Sequence, residues 1–69
     1  MSMLTVTVNG DTRQVPAPLT LAGLLEHLGL DPRTVVVEQN RAIVRRPALA
    51  ETPVAEGDVI ELVHFVGGG

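Results

Sequence analysis

The stretch MLTVTVNGDTRQV, residues 3–15, reads as two strands and the turn between them. Leu4, Val6 and Val8 alternate with Met3, Thr5 and Thr7, which puts the aliphatic set on one face of a half-buried strand rich in β-branched residues. Asn9-Gly10 follows. Both residues tolerate positive φ, so the pair is the strongest short signal for a hairpin. Residues 11–15 return as a second strand, with Arg13 and Val15 on one side, and Pro16 and Pro18 are expected to end it.

A helix comes next. Thr20 is placed to cap it, and Leu21, Leu24, Leu25 and Leu28 recur at the spacing of one apolar helical stripe. Gly29 suits the position just past the helix end, and Pro32 prevents resumption. Gly23 lies inside the helix at a cost of about 1 kcal/mol against alanine, which suggests a close approach to the sheet. Residues 34–39 contain Val35-Val36-Val37 and read as a strand. Asn40-Arg41 reads as a turn and residues 42–44 as a short strand. Residues 45–53 look irregular, punctuated by Pro47 and Pro53. Glu56-Gly57-Asp58 is a turn before a last strand over residues 59–66. The order β-β-α-β-(β)-β predicts an α+β fold: a mixed sheet with one main helix packed on one face. Its other face is left for solvent or a partner.

Composition narrows the function classes. A chain of 69 residues makes one small domain, here 1–69, with neither repeat nor linker. Cysteine is absent, which removes disulfides, thiolate metal sites and cysteine nucleophiles, so an apolar core must hold the fold. The net charge of −3 and the single aromatic residue, Phe65, argue against nucleic acid as a partner. No stretch approaches the ~20 apolar residues of a membrane span, and no signal peptide is recognisable at Met1, so a cytoplasmic protein is expected. All basic residues are arginine, leaving no side-chain amine for isopeptide or Schiff-base chemistry.

The last strand runs into Gly67-Gly68-Gly69. Taken alone, the triglycine reads either as a frayed chain end or as a functional tail. Within the strand, Ile60 and Leu62 share one face, and Glu61, Val63 and Phe65 the other. His27 and His64 have no cysteine or spaced histidine to complete a metal site, and both read as solvent-accessible or locally satisfied. Arg45-Arg46 reads as a solvated loop or as a steering element for an acidic surface. No carboxylate pair, Ser-His set or phosphate-binding glycine loop is present, so the chain is not expected to be an enzyme.

The segments VVVEQNRAIVRR (35–46), ETPVAEGDVIELVHFV (51–66) and the terminal GGG resemble the ThiS family, the sulfur carriers of thiamine biosynthesis. The resemblance covers essentially the whole chain. Two positions depart from the family's habit: Leu49 stands near a common tryptophan, and Arg45 at a common proline. The resemblance implies the ubiquitin-like β-grasp fold and a mechanism centred on Gly69. An E1-like adenylating enzyme would use ATP to activate the terminal carboxylate. A persulfide donor would then supply sulfur, leaving a thiocarboxylate that a thiazole synthase consumes. The chain itself would bind no cofactor and no metal. Gly67 and Gly68 would thread the tail into both active sites, since residues without a Cβ pass a narrow channel. By the ubiquitin-like pattern Val63 and Phe65 would form the partner-binding surface, with one parity of Val35 to Val37 extending it. Three alternatives stand beside this reading: a sulfur carrier for molybdopterin synthesis, an acyl-adenylated protein conjugator, and a ubiquitin-like interaction module with an inert tail.

Overall fold

The computed structural model describes residues 2–65. Both strand–turn–strand signals close as hairpins. β1 (Ser2–Val8) pairs antiparallel with β2 (Asp11–Ala17), from Ser2 opposite Ala17 to Val8 opposite Asp11. β3 (Val35–Gln39) pairs antiparallel with β4 (Ala42–Val44), closed by Gln39 opposite Ala42. Each two-residue loop has positive φ at both positions: Asn9 (50°) and Gly10 (85°), then Asn40 (52°) and Arg41 (73°). Such turns match the right-handed twist of the strands they join. Arg41 carries a Cβ into the left-handed region, at a cost of about 1 kcal/mol. Arg41→Gly is therefore expected to stabilise the fold by about 0.5–1 kcal/mol, seen as a higher urea midpoint at unchanged slope. A lowered midpoint would mean that the arginine side chain contributes more than its backbone costs.

β5 (Val59–His64) lies between the hairpins. The sheet order is β2-β1-β5-β3-β4, with β5 parallel to β1 and antiparallel to β3. Pro16 does not end β2 as expected but pairs opposite Met3 within it. β2 is an edge strand, where a missing N–H is tolerated.

α1 (Leu21–His27) crosses one face of the sheet. The Thr20 hydroxyl accepts from the Gly23 N–H at 3.1 Å, and Leu21, Leu24 and Leu25 are fully buried. Past the helix, Gly29 adopts φ 75°. Its N–H donates to Glu26 and that of Leu30 to Leu25, which satisfies the last carbonyls. The core joins these leucines to Val6, Val15, Val37 and Ile60 from the inner sheet face. Gly23 does not serve the sheet. A Cβ there would lie 2.9 Å from Leu19 Cδ1, so the glycine makes room for the segment entering the helix.

Residues 45–53, expected to be irregular, contain a 3₁₀ helix, Arg46–Glu51. It buries Leu49 and packs against α1. Pro47 fits its first turn, but one large apolar side chain in six residues carries no readable period. The chain then runs beside the helix entry: Leu21 N–H donates to Thr52 and Val54 N–H to Leu19.

Candidate functional site

β5 orients its side chains as the alternation predicts. Ile60 and Leu62 are buried, whereas Val63 and Phe65 point outward, 56% and 60% exposed. The apolar face does not stop at this strand. Val36 is the member of the valine run that extends it, pairing opposite Val63, and Ile43 on β4 is 64% exposed. The Phe65 N–H donates to the Thr34 carbonyl, so sheet pairing continues one residue past β5. A groove of about 420 Å³ opens here, with Val36, Ile43 and Phe65 beside Arg33, Arg45 and Arg46. The Arg33 guanidinium grips Asp31 at 2.8 Å. Its side-chain hydrogen bonds, then its backbone N–H, hold the Asp31 carboxyl down to about 2. Farther along the same face Glu38 stands opposite Glu61. The outer face is thus apolar in the middle, cationic near Phe65 and anionic at the other end.

Three polar side chains fix β5 in place. On the β1 side, Asn9 presents its whole amide to the Leu62 backbone. Leu62 N–H donates to Oδ1 at 2.7 Å, and Nδ2 donates to the Leu62 carbonyl at 3.2 Å. On the β3 side, Val59 N–H donates to Asn40 Oδ1 at 2.9 Å, and Asn40 N–H donates to the Val59 carbonyl at 2.7 Å. Both asparagines occupy the first position of a hairpin turn, where positive φ swings the side chain back toward the neighbouring strand. The third is Asp58, a buried carboxylate that accepts from Ala55 N–H, Gln39 Nε2 and Asn40 Nδ2 at 2.8–3.0 Å. Desolvation pushes its pKa up, but the three hydrogen bonds prevail and the carboxyl titrates below its ordinary value.

His27 and His64 are exposed and line a separate depression of about 380 Å³, with Asp11 and Arg13 nearby. Among the described residues no three histidine or acidic side chains gather as a metal site. Gly67, Gly68 and Gly69 lie outside the described residues. The place of Ile43 in the patch and the reach of the two turn asparagines to β5 are not anticipated by the sequence. For Ile43 the available signal is an isolated large aliphatic residue in a three-residue strand.

A model of the ThiS family matches residues 6–69, almost the whole chain. The chain belongs to the ThiS family. The sulfur carrier protein ThiS of Bacillus subtilis is 42% identical over 50 residues, covering 72% of this chain and 76% of that protein. The crystal structure of the thiamine biosynthesis protein ThiS from Geobacter metallireducens superposes with a TM-score of 0.82. It is 35% identical and covers 96% of this chain and all of that one. The ubiquitin-like β-grasp expectation therefore holds. A thiazole synthase of Paramagnetospirillum magneticum also matches, 42% identical over 64 residues. That match takes in 93% of this chain, which spans only 20% of the synthase's length. A ThiS-like segment is thus found as part of a larger polypeptide.

Proposed function

We propose that this ThiS-family chain carries sulfur for thiazole formation in thiamine biosynthesis, as a co-substrate without catalytic machinery of its own. The observation that carries the reading is the family match through Gly67-Gly68-Gly69, on a strand held laterally on both sides. The similarity to proteins named for thiamine and thiazole synthesis supports thiazole over molybdopterin as the product.

The chemistry follows from the carboxylate. It is a poor acceptor for sulfur until it gains a leaving group. In an E1-like adenylating enzyme the Gly69 carboxylate attacks the α-phosphate of ATP, pyrophosphate leaves, and an acyl-adenylate forms. The terminal sulfur of a persulfide attacks the acyl carbon and AMP departs. A thiol then cleaves the S–S bond, leaving a thiocarboxylate for thiazole synthase. No side-chain thiol in this chain competes as the carrier atom, since cysteine is absent. ATP belongs to the partner enzyme. Val63 and Phe65, exposed beside the tail, form the docking surface on this reading.

Intact-mass measurement tests it. The chain is incubated with ATP, the adenylating enzyme and a persulfide donor from the same genome. The expected result is a gain equal to one sulfur replacing one oxygen, confined to the C-terminal peptide and abolished by removing Gly69. An unchanged mass, with no ATP–pyrophosphate exchange, would favour the interaction module with an inert tail.

A further inference from the structure

Three of the five arginines, Arg33, Arg45 and Arg46, border the groove beside Phe65. The chain as a whole is negative, at −3. Counting Asp31, the local charge is +3 − 1 = +2. Among the described residues, the Arg33–Asp31 contact is the one ion pair. Arg45 and Arg46 are exposed and form no salt bridge there, although the Arg46 charge also helps to lower the Asp31 carboxyl. Val36 and the exposed Ile43 line the same groove, Val36 on the side toward Phe65 and Ile43 opposite Glu38. β4 pairs with β3 only from Val37 to Gln39, so Val35 and Val36 run past its end and leave the groove open on that side. Apolar surface kept exposed beside unpaired cations is the signature of an interface rather than of a solvated loop.

We propose that this groove seats an acidic segment of the thiazole synthase, with an apolar side chain over Val36, Ile43 and Phe65 and carboxylates against Arg45 and Arg46. The inference rests on the sulfur-carrier reading and adds to it a recognition element and its polarity. Glu38 and Glu61, at the other end of the same face, repel the same segment. The charge layout therefore fixes one direction of docking, with the acidic end next to the strand that leads to Gly67. A second copy of this chain is disfavoured as the occupant, because two chains of net −3 repel.

Binding of the full chain to thiazole synthase from the same genome tests this, at about 50 mM and about 300 mM NaCl. No sulfur transfer is required. Wild-type binding is expected to weaken several-fold at the higher salt. The double variant R45Q/R46Q is expected to bind about 3- to 10-fold more weakly at low salt and to lose most of the salt dependence. Phe65→Ala is expected to weaken binding by about 30-fold at both salts. All these positions are exposed, so matched melting temperatures are the check on folding. Wild-type-like affinity and salt dependence in R45Q/R46Q would overturn the groove assignment and leave the carrier reading standing. Failure of the wild-type chain to bind would overturn the groove assignment, while the mass gain at the C-terminal peptide decides the carrier reading separately. Self-association of the wild type that R45Q/R46Q abolishes would assign the groove to a second copy and overturn the proposal as well.

Discussion

Asp58→Ala is expected to lower the unfolding free energy by about 2–4 kcal/mol, out of about 3–10 kcal/mol for a domain of this size. The loss has three parts. Ala55 N–H and Asn40 Nδ2 each lose an acceptor, and Gln39 Nε2 keeps only the Pro53 carbonyl. With Asn40 released, its hold on the Val59 backbone weakens too. Asp58→Asn keeps one acceptor oxygen but turns an NH₂ toward donors, so about 1–3 kcal/mol is expected. Urea titrations measure both; a change below about 0.5 kcal/mol for Asp58→Ala would show that the hydrogen bonds only offset desolvation.

The same residue ties stability to pH. Its folded pKa lies below the ordinary value of 3.8, so its contribution is present above that value and is lost as pH falls through the folded pKa. Asp31 is depressed as well, but it is only half-buried, pairs with Arg33 and is unaffected by the substitution. The difference between wild type and Asp58→Ala isolates Asp58: constant from neutrality to about pH 5, then shrinking toward lower pH. A difference that stays constant down to about pH 2 would assign the stabilisation to shape rather than charge.

The architecture was readable because local signals and global pattern agree. Asn9-Gly10, the leucine stripe from Leu21 and the Gly29 stop each point to one element, and the element order admits few sheets. The alternation of Ile60, Leu62 and Val63 separated the two faces of β5, and the ubiquitin-like resemblance said which one is buried. The unread parts depend on distant chain segments. Asn9 and Asn40 were legible as turn residues, since φ tolerance is a property of one residue. Their amides reach partners 53 and 19 residues away, a relation no window contains. Asp58 likewise read as turn chemistry, and its partners Gln39 and Asn40 come from the β3–β4 hairpin. Leu49 carries no period because its 3₁₀ helix supplies a single plug to the core. Arg45 and Arg46 were visible as a charge pair, but the apolar floor beside them is assembled from β3, β4 and the residue after β5.

Asn9→Ala is the substitution expected to couple stability to transfer. The backbone ladder between β1 and β5 is short: Thr7 pairs with Val59, Val8 with Ile60, and Asn9 N–H reaches the Ile60 carbonyl. Beyond that point, among the described residues, the hydrogen bonds to β5 from this side come from the Asn9 side chain, at Leu62. Alanine removes both bonds, leaves the Leu62 N–H without its acceptor, and must hold φ 50° with a Cβ and no compensating contact. The sum is about 2–4 kcal/mol. Asn9→Gly separates the causes, because it keeps the turn and loses the bonds, at about 1–3 kcal/mol. Asn9→Asp keeps the acceptor but sets a carboxylate oxygen against the Leu62 carbonyl. Hydrogen exchange at Leu62 is expected to accelerate in all three variants, while Val36 and Val63, paired across β3 and β5, keep more of their protection. On the sulfur-carrier reading, a strand whose Leu62 end is held by β3 alone would present the C-terminal carboxylate to an adenylating enzyme over a wider range of directions. At a temperature where Asn9→Gly remains folded, thiocarboxylate formation is therefore expected to show a KM raised several-fold with kcat little changed. Equal KM values for Asn9→Gly and wild type, with Leu62 deprotected, would show that the partner enzyme orders the strand by itself and that Asn9 serves the fold alone.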